Sequence, residues 1–154
     1  MRYRELITEL FDTDVSWRYV RRGSDLVFTT NIGGRDIELE YTESGNKNFH
    51  VSFTVDGEYD ITGSGDAMRI FGVVINHILL FVERVKPNRL GFVAHKAIDG
   101  IDATEYETRS RLYDRMVRRY IDRDDSVSSN YGYHTESRDG FQIFVLTRRG
   151  DDIV

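Results

Sequence analysis

The chain contains no cysteine. Disulfide frameworks, thiolate zinc sites, iron–sulfur clusters and thiol nucleophiles are therefore excluded. It has one proline, Pro87, and neither an internal repeat nor a low-complexity tract. It also lacks a long apolar run. The most apolar stretch, residues 70–82, is about 13 residues long and contains Asn76 and His77, whereas a bilayer span needs roughly 20. The opening Met1-Arg2-Tyr3-Arg4-Glu5 is charged with no apolar run behind it, so it does not read as a signal peptide. The expectation is a soluble, cytoplasmic protein with no membrane partner. Finally, there is no excess of positive charge: 21 Lys and Arg stand against 26 Asp and Glu, a net charge of -5. A generic polyanion binder is normally basic, so nucleic acid is disfavoured as a bulk partner, with only a local basic patch left open.

What is present is globular. The 154 residues are 40% hydrophobic and 31% charged, enough for one domain with a real core. We expect a single domain over residues 1–154. Its first part, 1–62, reads as a short helix and a β-meander. The second, 63–148, reads as helix, strand, helix and hairpin.

The apolar spacing of Leu6, Ile7, Leu10 and Phe11 predicts a short amphipathic helix over residues 4–11. Residues 15–19 alternate, and 26–32 read as a strand. Gly33-Gly34 is a two-residue hairpin signal, because both central positions of a type I′ turn need positive φ. Ile37, Leu39 and Tyr41 alternate with Asp36, Glu38 and Glu40, giving one buried face and one acidic, wet face. Phe49, Val51, Phe53 and Val55 alternate again. Asp56-Gly57 reads as a second hairpin turn, with a short returning strand over 58–62. A long helix is expected over 67–85, ended by Lys86-Pro87-Asn88. Its polar residues, among them Asn76 and His77, form a narrow stripe on a largely buried element. A strand over 90–95, a helix over 104–121, a polar loop over 123–130 and a closing hairpin (131–136 with 141–147) complete the order.

Two segments could carry chemistry. The turn Gly63-Ser64-Gly65 precedes the long helix. Backbone N–H groups there have no intrahelical partners, and glycine lets an anion come close. A phosphate or pyrophosphate fits such a turn, and so does a plain helix cap with Ser64 or Asp66 as the capping residue. The Asp66 carboxylate would compete with an anion for the same N–H groups. The second segment runs from Arg109 through Arg111, Leu112, Tyr113 and Arg115 to Arg118 and Arg119. Asp114–Arg118, Glu105–Arg109 and Glu107–Arg111 are i,i+4 pairs in the favourable order. The bland account is a solvated salt-laced helix face with Tyr113 in the core; the sharper one is a phosphate-contacting or nucleic-acid-contacting face.

Together these segments resemble the C-terminal half of the GNAT acyltransferase superfamily, in which a Gln/Arg-x-x-Gly-x-Gly/Ala segment wraps the pyrophosphate of acetyl-CoA. Here that segment reads Asp60-Ile61-Thr62-Gly63-Ser64-Gly65. A later Asn-x-x-Ala-x-x-Leu-Tyr segment of the family is matched by Tyr106-Glu107-Thr108-Arg109-Ser110-Arg111-Leu112-Tyr113. The glycines and the Leu-Tyr agree. Asp60, Tyr106 and Arg109 depart from the pattern, and so does the N-terminal half, where one short helix precedes the meander. The chain also looks like small GNAT-like proteins of phage genomes. The resemblance implies an α+β or mixed α/β fold: a GNAT-like, mostly antiparallel twisted central sheet flanked by helices.

It further implies acetyl-CoA as cofactor and an amine, on a small molecule or a protein, as acceptor. Gly63, Ser64, Gly65, Asp66 and Arg109 would then line the CoA site. Tyr113 would protonate the departing thiolate, and a carboxylate such as Glu58 would take the amine proton. Asp60, Glu38 and Glu40 are further candidates for that base. No histidine pair has ligand spacing, and no metal is expected; a cluster of Asp99, Asp102 and Glu105 near His95 reads as solvated loop. The alternative is a non-catalytic GNAT-like module that binds a protein partner or serves in an assembly. That alternative expects a shallow or blocked cleft and a buried Tyr113.

Overall fold

The computed structural model describes residues 16–57, 67–96, 103–138 and 141–150. Four strands come first: β1 (Arg18–Arg22), β2 (Asp25–Ile32), β3 (Arg35–Glu43) and β4 (Asn48–Val55). They are followed by α1 (Ala67–Val85), β5 (Arg89–Lys96), α2 (Ala103–Asp122), α3 (Asp125–Asn130), β6 (Tyr131–Arg138) and β7 (Phe141–Arg148). All seven strands form one sheet in the order β1-β2-β3-β4-β5-β7-β6. Every neighbouring pair is antiparallel except β4 and β5.

The meander follows from its turns. Gly33 (φ 58°) and Gly34 (φ 83°) hold the left-handed backbone that a two-residue turn between β2 and β3 requires. β1 and β2 are joined just as tightly, since Arg22 pairs with Asp25 across Gly23 and Ser24. Asp56 (φ 52°) and Gly57 (φ 83°) also take the expected turn conformation. The described partners of β4, however, are β3 and β5. The returning strand expected over 58–62 and the helix expected over 4–11 lie outside the described residues.

Alternation then builds the core. Leu26, Tyr41, Val51, Phe92 and Phe144 occupy facing positions on five successive strands, a continuous apolar row across the sheet. α1 packs on this face through Ile70, Phe71, Val74, Ile75, Ile78, Leu79, Phe81 and Val82, all buried. Phe81 stacks on Tyr41 with ring centroids 4.0 Å apart. Burying each such side chain stabilises the fold by about 1.5–3 kcal/mol. α1 ends where Lys86 turns to φ 55° and Pro87 follows. Asn88 then pins the start of β5. Its backbone N–H donates to the Lys47 carbonyl, its side chain donates to the Asn46 carbonyl, and its own carbonyl accepts from the Arg148 N–H. The polar stretch expected as loop over 123–130 contains α3, which Asp124 caps by accepting from the Val127 N–H at 3.1 Å while Val127 is buried.

The expected fold class is corrected. Seven strands dominate, against three helices among the described residues, one of them only six residues long. Among the described residues the sheet is not flanked by helices on both faces. β4–α1–β5 and β5–α2–β6 are both parallel connections, and both step across the sheet in the same direction. Right-handed crossovers therefore put α1 and α2 on one face. Phe71 of α1 and Tyr113 of α2 stack there at 4.6 Å. The opposite face carries Glu38, Glu40, His50, Ser52 and Thr54 and receives none of the described helices. An α/β count read from the chain misses this, because handedness and strand order decide which face each helix covers. Among the described residues no helix is long and apolar enough to cross a membrane.

α1 and α2 approach closely because Gly72 has no side chain. A Cβ there would lie 2.6 Å from the Tyr120 hydroxyl oxygen. We predict that Gly72→Ala costs about 1–2 kcal/mol in the wild-type background, despite alanine's better helix propensity. In a Tyr120→Phe background the same substitution is neutral or stabilising. Urea denaturation of the four variants checks both signs.

Candidate functional site

The β4–β5 ladder runs from Asn48–Arg89 to Ser52–Val93 and stops. β4 continues to Val55 beside β3, and β5 continues to Lys96 beside β7. The cause is local. Val93 faces Ile143 and His95 faces Gln142, so Ala94 is an extra residue on β5. Such a bulge bends its strand and raises its twist, and the β4–β5 pairing ends beside it. The sheet forks at this point.

Aromatic rings line the helix side of the fork. Phe71 of α1 is central: 4.6 Å from Tyr113, 6.2 Å from Phe53 of β4 and 6.4 Å from Phe144 of β7. Tyr113 is only 3% exposed. Ser110, one turn earlier on α2, meets Gln142 of β7, whose Nε2 donates to the Ser110 carbonyl at 3.0 Å. Gln142 is 6% exposed. On the other side, a hollow of about 580 Å³ is lined by residues including Thr54, Asp36, Glu38, Asn31 and Arg18. Thr54 lies on β4 past the last β5 pair; the other lining residues belong to the meander and its turns.

Of the expected site residues, Tyr113 is placed at the fork, in the core and stacked on Phe71. Arg109 lies on α2, with its side chain outside the described residues. Glu58, Asp60, Gly63, Ser64, Gly65 and Asp66 lie outside the described residues, as do Asp99 and Asp102. Glu38 sits on the polar face and accepts from Arg22 at 3.2 Å. Glu40 is on the same face; its hydrogen bond with Asp25, and then partial burial, raise its pKa. Asp114 and Arg118 make the expected i,i+4 pair at 3.1 Å. Asp114 also accepts from the Tyr133 hydroxyl at 2.6 Å, and burial followed by that bond raises the Tyr133 pKa. His134 is exposed and shares Glu136 with Arg89 and Arg138. Among the described residues, no group of three or more His, Asp or Glu is arranged to hold a metal ion.

Ser110 and Gln142 were not expected. Gln142 had a signal, being a polar residue in the same inward alternation as Phe144 and Leu146. Ser110 precedes Tyr113 by three positions, which puts it on the same helix face.

His77 is corrected from the polar stripe to the interior. It is 1% exposed, with ring centroids 4.6 Å from Trp17 and 4.5 Å from Phe28. Its Nδ1 lies 2.7 Å from the Tyr41 hydroxyl, and its Nε2 has no hydrogen-bond partner. Donation from Tyr41 to Nδ1 leaves the fewest unmade bonds, so the proton sits on Nε2. Burial pulls the His77 pKa down to about 3 and pushes that of Tyr41 well up.

Comparison with family models, with curated protein sequences and with solved structures found no match for the chain.

His77 has a consequence for stability. Its folded pKa lies below the unfolded value near 6.5, so the unfolded chain binds more protons between about pH 6.5 and 3. Stability is therefore lost as pH falls through that window, by about 1.4 kcal/mol per pH unit. We predict that from pH 6.5 to 5 the wild type loses about 1–2 kcal/mol more than His77→Gln. Parallel urea titrations measure the difference, in which carboxylate contributions cancel.

Proposed function

We propose that the chain is an acyl-CoA-dependent N-acyltransferase that moves an acetyl group to an amine. The observation that carries this reading is the end of β4–β5 pairing at Ser52 and Val93. Backbone groups beyond that point need partners, and an extended arm bearing amides can add itself to a strand edge. The pantetheine arm of CoA has that form. The rings of Phe53, Phe71 and Tyr113 suit its apolar segments. Asp36 and Glu38, in the hollow that Thr54 of β4 also lines, suit an amine-bearing acceptor.

In this reading positioning does most of the work. The β4 edge offers backbone N–H groups to the thioester oxygen, where negative charge develops. The acceptor nitrogen bonds to the acyl carbon as the carbon–sulfur bond breaks. The amine proton goes to a carboxylate, for which Glu58 is the candidate, and Tyr113 gives its hydroxyl proton to the thiolate. Gly63, Ser64, Gly65, Asp66 and Arg109 are the residues proposed to hold the pyrophosphate end.

The burial of Tyr113 against Phe71 favours a second reading, a non-catalytic module that binds a protein partner. The two separate experimentally. At 100 times its dissociation constant a ligand adds about 2.7 kcal/mol, which raises Tm by about 5–10 °C for a chain of this size. We predict such a rise with acetyl-CoA, together with CoA release in the presence of an amine panel. A rise without CoA release marks a chain that holds acetyl-CoA without transferring its acyl group, and counts against the module, whose cleft is expected to be shallow or blocked. No rise removes the acyltransferase.

A further inference from the structure

Three buried side-chain polar atoms among the described residues make no hydrogen bond: His77 Nε2, Ser110 Oγ and Gln142 Oε1. The last two are neighbours. The Ser110 carbonyl can only accept, so the Gln142 atom facing it at 3.0 Å must be Nε2. That fixes the amide orientation and leaves Oε1 without a donor. A buried unpaired polar atom costs about 1–3 kcal/mol, and native chains keep few of them.

Their location is specific. Gln142 faces His95 in the β5–β7 ladder, just past Val93, the last β5 residue to pair with β4. Gln142 shares the inward register of Phe144, and Ser110 lies one turn from Tyr113, on the helix side of the fork. A hydroxyl that can donate and a carbonyl that can only accept complement a secondary amide, whose C=O accepts and whose N–H donates. Water alone could satisfy both atoms, but a site next to unpaired strand edges suits a longer amide-bearing group.

We propose that Ser110 and Gln142 form a two-point clamp for a secondary amide of the pantetheine arm. The Ser110 hydroxyl donates to the amide carbonyl, and Gln142 Oε1 accepts from the amide N–H. This assignment rests on the acyl-CoA reading and adds the residues that fix how far the arm enters. These are positioning residues: they hold an amide of the arm, away from the reacting carbon.

Calorimetric titration of the full chain with acetyl-CoA and, separately, with 3′,5′-ADP tests it. Wild type, Ser110→Ala, Gln142→Met and the double variant are compared, with the ligand-free Tm of each recorded. We expect acetyl-CoA to bind each single variant about tenfold more weakly, with 3′,5′-ADP unaffected because it lacks the arm. The ligand-free Tm of Ser110→Ala should hold or rise, since an unpaired atom is removed. Equal acetyl-CoA affinity across all four proteins overturns the clamp and leaves the acyl-CoA reading standing. Equal losses for both ligands, with a lowered ligand-free Tm, mark a structural role and also overturn it. Absence of acetyl-CoA binding to the wild type overturns the acyl-CoA reading itself, and the clamp with it.

Discussion

The parallel ladder from Asn48–Arg89 to Ser52–Val93 joins the four-stranded meander to the three strands of the second half. It is the one parallel contact among the described strands, so it requires a crossover, and α1 supplies it. The apolar stripe of α1 covers both strands, and Asn88 fixes the register at one end through Lys47, Asn46 and Arg148. At the other end the described ladder stops at Ser52–Val93, beside the register shift at Ala94. In the proposed reading, the end of pairing between β4 and β5 is where an extended ligand enters. The same-side crossovers of α1 and α2 then supply the wall of that entry, while the meander supplies a polar rim.

The chemistry gathered there is uneven. Aromatic packing dominates the helix side, and carboxylates occupy the hollow on the other. Beside the rings, on the helix side, sit two buried polar atoms without hydrogen-bond partners, Ser110 Oγ and Gln142 Oε1. His77 is different in kind. Its unpartnered nitrogen lies among Trp17, Phe28 and Tyr41, away from the fork, where it acts on stability rather than on a ligand.

Much of the local structure was legible in the chain. Gly33-Gly34 marks a hairpin because two consecutive positive φ angles are cheap only for such residues. The alternation of Ile37, Leu39 and Tyr41 orients β3, and Pro87 ends α1. What escaped reading is non-local. The strand expected over residues 90–95 is present within β5, but its bulge at Ala94 leaves no compositional trace. The fold class was misjudged because the face chosen by each crossover depends on strand order, not on any segment. His77 reads as part of the polar stripe of α1, yet Trp17 and Phe28 pack against it and bury it. Gln142 was visible as a break in an apolar alternation, but Ser110 acquires meaning only once β7 lies against α2. Most of the expected CoA-binding residues fall outside the described segments, so the site rests on the fork rather than on the glycine turn.

The fork itself can be measured by residue-resolved amide hydrogen exchange with and without acetyl-CoA. Amides of the closed ladder, such as those of Val51 and Phe92, should exchange slowly in both conditions. At least one amide among Phe53, Thr54, Val55, His95 and Lys96 should exchange orders of magnitude faster and become protected when acetyl-CoA is added. Uniform slow exchange along both strands without ligand, or fast exchange that acetyl-CoA leaves unchanged, would contradict the account.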